Sequence, residues 1–355
     1  MNVSVQGQVS FFERRKNALP RHHASAVVDF VVPGKIIFER EVFVMTMKKF
    51  FTACILSALC ASSSLAAPKF SVGIVQLVEH PSLDEVRLAI LAELKASGYG
   101  PDVAEIDYQN GQNSPSLISA ICQKFVARGV SVIVPIATPA AQGAAAAAET
   151  IPVVFAAVSD PVAAGLVKDL ARPDGNVTGV SDAIHPSNVL DLAEELTPGL
   201  KNYGIIYNTA EANSTNTVRK AEAEMSKRGI AFREAVVSTA AEVVPAVNSL
   251  MGKVDAIYVP DDNTTALAMP LLSQVAIEHK VPVYTAVDSL VHDGGLATSG
   301  INYTNLGRQT GQMIIRVLNG AKIADTPVEV LREASVVVNG ETAAALGVDV
   351  SKYVK

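Results

Sequence analysis

Glu79-His80-Pro81-Ser82-Leu83-Asp84 brings acid, base and nucleophile types together, and hydrolytic chemistry is the first reading it invites. A triad is defined by geometry rather than by adjacency. Beyond residue 67 the chain has no G-x-S-x-G elbow, H-E-x-x-H helix, P-loop or G-x-G-x-x-G turn, which leaves a secreted hydrolase using His80 or Ser159 as the weakest reading. A metal shared by His80 and Asp84 lacks a matching ligand cluster, so neither a metal nor a cofactor is expected. The segment from Glu79 to Ser82 reads instead as a ligand-facing loop, with Asp84 in the first turn of the next helix, where its charge suits the helix dipole. Comparable polar groups follow other apolar runs: Tyr108, Thr138, Ser159-Asp160, Asn208, Asp261-Asp262-Asn263 and Asp288. Hydroxyls, amides and carboxylates are the side chains that hold a small polar molecule.

These residues stand where strands should end. Apolar, β-rich runs at Phe70–Val78, Asp102–Tyr108, Ser131–Ile136, Pro152–Val158 and Val177–Val180 alternate with helical patterns near Leu83–Ala96, Ser116–Arg128 and Ala140–Glu149. Continuous Val/Ile runs between helices indicate buried strands of a parallel sheet. A second series has strands at Tyr203–Tyr207, Ala231–Val237, Ala256–Val259 and Pro282–Thr285, with helices near Ser187–Leu196, Asn213–Arg228, Ala240–Met251 and Thr264–His279. The predicted fold is α/β, two doubly wound parallel-sheet lobes joined by a multi-strand hinge, with 67–181 plus 301–330 in lobe 1 and 182–300 plus 331–355 in lobe 2. Ligands of such sheets sit beyond the carboxyl ends of the strands, where loops lead into helix N-termini. The five alanines after Gly143 fit a buried helix, given alanine's helix propensity.

The N-terminal region has a different character. Met47-Lys48-Lys49, an apolar run and Ser64-Leu65-Ala66-Ala67 form the parts of a secretory signal over 47–66, too short to span a bilayer. Residues 1–46 then read as translated upstream sequence or an extended n-region, and export to the periplasm is expected. Eight of the 29 Lys/Arg and four of the 35 Asp/Glu precede residue 68, so the remainder carries a formal charge of −10. Without a basic cluster, nucleic acid is excluded as a partner. Cys122 is then the lone cysteine, and no intramolecular disulfide can form.

Gln76 through Asp84 (QLVEHPSLD), Ala137-Thr138-Pro139-Ala140, the run from Ser159 to Val167 and the tail Asn302–Gly320 resemble substrate-binding proteins of bacterial ABC importers. The resemblance is to the type I periplasmic-binding fold, in the branch that includes tryptophan- and phenylalanine-binding members, and it covers residues 70–350. It implies a non-catalytic, monomeric receptor that closes its lobes around an aromatic or large apolar L-amino acid and delivers it to a permease in the inner membrane. The alternative is a periplasmic signalling receptor for a sugar or other small molecule, because Tyr303–Gln309 is also similar to sugar-binding and lactose-repressor-type proteins. The export signal and the missing DNA-binding head weigh against a regulator.

An amino acid presents a carboxylate and an ammonium, and burying either unpaired costs several kcal/mol. Thr138 and Ser159 are the carboxylate candidates, with ordinary N-capping as the competing role. Asp160, followed by Pro161, reads as a cap. For the ammonium the choice is among Asp261, Asp262 and Asp288: Asp288 comes first, since related amino-acid-binding members carry an acidic partner there, Asp261 is second, and a cap on Ser289 is the ordinary alternative for Asp288. The candidate ligand contacts are thus Glu79, His80, Ser82, Tyr108, Thr138, Ser159, Asp160, Asn208, Asp261, Asn263 and Asp288. Tyr108, Tyr207 and Tyr258 could stack on a ligand or pack in the core.

Overall fold

Strand β1 (Phe70–Gln76) opens a sheet completed by β2 (Ala104–Asn110), β3 (Val132–Ile136), β4 (Val153–Ala156), β5 (Val177–Ser181) and a late strand, β11 (Glu329–Val330), in a computed structural model that describes residues 68–331 and 334–354. All its pairings are parallel, in the order β11-β5-β4-β3-β1-β2. A second six-stranded sheet holds β6 (Asn202–Asn208), β7 (Ala231–Val237), β8 (Ala256–Val259), β9 (Val283–Thr285), β10 (Ala297–Ile301) and β12 (Ala334–Val338), in the order β12-β10-β9-β8-β6-β7. Only β12 runs antiparallel to its neighbour among the described strands of that sheet. The central strands β3, β4 and β8 are buried along their whole length, which is why they read as unbroken apolar runs. The expected signal over 47–66 and residues 1–46 lie outside the described residues.

Helices link the strands: α1 (Pro81–Ala96), α2 (Pro115–Arg128), α3 (Thr138–Ala147), α4 (Ser187–Leu196), α5 (Ala212–Lys227), α6 (Val243–Leu250), α7 (Asn263–Ala266), α8 (Met269–Glu278), α9 (Ser289–His292), α10 (Tyr303–Leu318) and α11 (Gly340–Leu346). Local chemistry sets their ends. The Ser114 hydroxyl accepts from Leu117 N–H at the start of α2, and Gly129 closes it at φ 64°. The alanine run forms α3 as expected, with Ala140, Ala141 and Ala144 buried. The single helix expected over 264–279 is two, broken at Leu267-Ala268, because Pro270 lacks an N–H and its ring clashes with the carbonyl four residues back. Pro161 starts a run of turns rather than a helix.

The chain passes between the sheets after β5, after β10 and between β11 and β12. Helix α10 therefore returns to the first sheet and lies against α1, where Gly307 and Gly311 allow close approach. In each sheet the strand order reverses once, between β1 and β3 in the first and between β6 and β8 in the second. Loops diverge at such points and leave a crevice beyond the strand ends.

Candidate functional site

The loops from both crevices meet across the interface between the sheets. After β1 they supply His80 and Ser82; after β3, Thr138; after β4, Ser159. From the second sheet come Asp261 and Asn263 after β8, and Asn213 in the first turn of α5. Polar pairs cross the cleft: Ser82 Oγ and Ser289 Oγ at 2.6 Å, His80 Nε2 and Asn263 Oδ1 at 3.2 Å, and the Ser159 hydroxyl donating to Asp261. Between them lie three small cavities of about 20 Å³ each that all share Asp261.

Among the described residues, five buried polar atoms lining these cavities have no partner: His80 Nδ1, Thr138 Oγ1, Asp182 Oδ1, Asn213 Oδ1 and Asp261 Oδ1. Buried polar groups are nearly always bonded, so orphans gathered in one cleft mark the seat of a polar ligand. Asp182 accepts from the Tyr303 hydroxyl at 2.7 Å, and Asp261 from Ser159, each keeping a free oxygen. Burial, reinforced by the Asp182 charge, pushes the Asp261 carboxyl up to about 7; burial raises Asp182 as well. Among the described residues no lysine, arginine or histidine forms an ion pair with either acid. Lys220 lines the third cavity but is engaged with Asp160 at 2.9 Å.

Opposite the acids, Thr138 stands in the first turn of α3, where the leading N–H groups have no intrahelical acceptor and the dipole is positive. The preceding Ala137 is held at φ 81°, ψ 155°, and Ala157, at the end of β4, at φ 55°. Backbone of that kind costs about 1–3 kcal/mol at a non-glycine residue and concentrates where a ligand must be met.

The structure separates the sequence candidates. His80, Ser82, Thr138, Ser159, Asp261 and Asn263 line the cavities. Glu79 and Tyr108 bond to each other at 2.9 Å, under the Arg87 guanidinium, and line none of the three. Asp160 caps a turn through Ala163 N–H and meets Lys220 of α5. Asn208 braces the second lobe's loops, taking Asp262 on its N–H and reaching Thr264 with its amide. Asp288 also lies off the cavity walls, its oxygens accepting from Ser289 N–H and Asn302 Nδ2; burial, then Glu85, pushes it up to about 6. Asp262, raised to about 6 by burial and by Glu211, caps α7 through Thr265 N–H. Tyr258 is buried in the core, and Tyr207 donates to Glu234. Sequence reasoning missed Asp182, Asn213 and Tyr303. Asp182 directly follows the strand ending at Ser181 and meets the strand-end criterion that found the others, but it fell on the expected lobe boundary.

Two parallel-sheet lobes, three crossings and a polar cleft between strand ends define a two-lobed solute-binding protein of type I periplasmic-binding architecture. The ABC transporter substrate binding protein family matches residues 71–355, and the chain belongs to that family. A tyrosine-binding protein of Clostridioides difficile (strain R20291) is 41% identical over 291 residues, 80% of this chain and 84% of that one. An ABC domain from Streptococcus pneumoniae in complex with L-Trp shares 40% identity over 79% of this chain and 96% of its own, with a TM-score of 0.77. A ligand-free, open substrate-binding protein from Clostridium difficile, described as having adhesive properties, also shares 40% identity over 79% of this chain and 95% of its own, with a TM-score of 0.63. The chain as a whole thus superposes better on the L-Trp complex than on the open form.

Proposed function

We propose that this protein is the periplasmic receptor of an ABC importer for an aromatic L-amino acid, which it holds between its lobes and hands to a membrane permease. The observation that carries the reading is the free oxygen on each of Asp182 and Asp261, facing Thr138 and the start of α3 across one cavity. An ammonium neutralises the first group and a carboxylate suits the second. Asp261 with Asp182 therefore replaces Asp288 as the proposed ammonium seat, because both Asp288 oxygens are already engaged. Leu83, Val287 and Leu290 line the neighbouring cavity and suit an apolar side chain. The similarity to a tyrosine-binding protein and to an L-Trp complex supports the aromatic class. The lobe limits of 67–181 plus 301–330 and 182–300 plus 331–355, a cleaved signal over 47–66 and a monomeric state belong to the same proposal.

Among the described residues no helix is long and apolar enough to cross a membrane. Calorimetric titration with L-tyrosine, L-tryptophan and L-phenylalanine, beside the same molecules lacking the amine, tests the reading. At 100 times its dissociation constant the true ligand stabilises the fold by about 2.7 kcal/mol. Equal affinity for the amine-free analogues, or a response to sugars alone, would sink it.

A further inference from the structure

His80 is fixed in one tautomer by a chain of bonds that begins outside the cavity. The buried Glu211 carboxylate is ringed by donors: the N–H groups of Asn263 (3.1 Å) and Thr264 (3.0 Å), the Thr264 hydroxyl (2.8 Å), and the amide nitrogens of Asn263 (2.5 Å) and Asn213 (3.3 Å). Oxygens so surrounded accept, so the Asn263 side chain turns its NH₂ toward Glu211 and its Oδ1 the other way. That Oδ1 stands 3.2 Å from His80 Nε2. An amide oxygen cannot donate, so Nε2 carries the hydrogen, and the neutral ring keeps a bare lone pair at Nδ1. Burial holds the imidazole below its ordinary value of 6.5 and keeps it neutral.

Nδ1 is buried without a partner, and His80 is 6% exposed. With the Nε2 edge committed to Asn263, Nδ1 is the edge the ring has left to offer the cavity it lines with Leu83, Ala266, Val287 and Leu290. Of the polar groups in that wall, Ser82, Asp262, Asn263 and Tyr303 are bonded within the protein and Asp261 belongs to the proposed ammonium seat, which leaves Nδ1 as the acceptor for a donor carried on the ligand's side group. We infer that His80 Nδ1 reads the polar edge of the bound ring, accepting a hydrogen bond from a phenol O–H or an indole N–H and disfavouring phenylalanine. The inference rests on the aromatic amino-acid reading above. Phenylalanine excludes water from Nδ1 without replacing the bond, and sites built to bond a ligand's donor discriminate strongly against ligands that lack it.

The test uses isosteres, titrated calorimetrically into the wild-type full chain. L-Tyrosine is compared with L-phenylalanine and 4-fluoro-L-phenylalanine, and L-tryptophan with 3-benzothienyl-L-alanine, in which sulfur replaces the N–H. For whichever parent binds, the donor-free counterparts should bind at least tenfold more weakly. In His80→Phe, which keeps a flat ring and removes the acceptor, that gap should shrink to about twofold. Donor-free isosteres binding within twofold of their parents in the wild type would overturn the inference, and so would a gap that His80→Phe leaves unchanged. The wild-type series decides alone if that variant does not fold. Binding of none of the five overturns the amino-acid reading itself, a different failure from binding without discrimination.

Discussion

Two carboxylates in one dry space cannot both ionise cheaply, and that cost is what an arriving ammonium relieves at Asp182 and Asp261. Because Asp261 is held up to about 7, a fraction of the protein at neutral pH carries a proton there that the ligand's ammonium must displace. Affinity should therefore fall as pH drops below about 7, and titrations in buffers of different ionisation enthalpy should show proton release on binding. For the ligand-free protein the sign is opposite. The unfolded aspartate loses its proton near 3.8 while the folded one keeps it to about 7, so the stability this proton contributes is complete below 3.8 and lost as pH rises through 7. Asp261→Asn should raise the melting temperature of the ligand-free protein at pH 7.5, flatten that slope and weaken ligand binding about tenfold or more. An affinity unchanged in Asp261→Asn would remove Asp261 from the ammonium seat. Ala137 gives a second test at this scale. Glycine adopts φ 81°, ψ 155° freely, so Ala137→Gly should stabilise the protein by about 1 kcal/mol, although the same exchange elsewhere costs about 0.5–1 kcal/mol. Urea unfolding reads the difference, and a loss of stability would show that the backbone there is not strained.

The helix pair α1 and α10 ties the start of the first lobe to the strand that leaves the second. A Cβ on Gly307 would lie 2.5 Å from the Val86 carbonyl oxygen and 2.6 Å from Ala89 Cβ, and backbone cannot move aside as a side chain can. Gly307→Ala should therefore lower stability by about 1–3 kcal/mol, against the gain of about 1 kcal/mol expected for alanine in an open helix. Equal or greater stability in urea would show that the helices have room to separate. At this scale the sequence was highly legible, because buried parallel strands such as Val132–Ile136 are written as apolar runs and their helices as amphipathic ones. The break at Leu267-Ala268 was less so, since Pro270 also fits the first turn of a helix and the pattern of apolar residues continues across it. The site was legible only in part. Strand-end chemistry pointed to His80, Thr138, Ser159 and Asp261, which the fold brings to the cavity walls, but whether a carboxylate is free or occupied is decided by long-range partners. Asn302, 14 residues from Asp288, takes up an oxygen of that carboxylate, and no local pattern reports it.

Bonds across the cleft set the balance between open and closed forms, and a ligand shifts that balance only by binding one form more tightly. Ser82 in α1 and Ser289 in α9 belong to different lobes, and their hydroxyls stand 2.6 Å apart. That contact exists only when the lobes meet as they do here, so it is a place to fasten them. Ser82→Cys with Ser289→Cys should form a disulfide on oxidation, given that bridged sulfurs lie about 2.05 Å apart. Cys122 should not interfere: it is buried, and burial pushes its thiol up to about 11, leaving little thiolate at neutral pH. If the cleft must open for exchange, the oxidised protein loaded with ligand should release it at least tenfold more slowly than the reduced protein. Oxidised empty should bind poorly, and dithiothreitol should restore both rates. Stopped-flow release of a fluorescent amino acid, with mass spectrometry confirming the bridge, makes the measurement. Fast exchange through a confirmed bridge would mean that ligand enters without separation of the lobes, and small-angle scattering would then show the same radius of gyration with and without ligand.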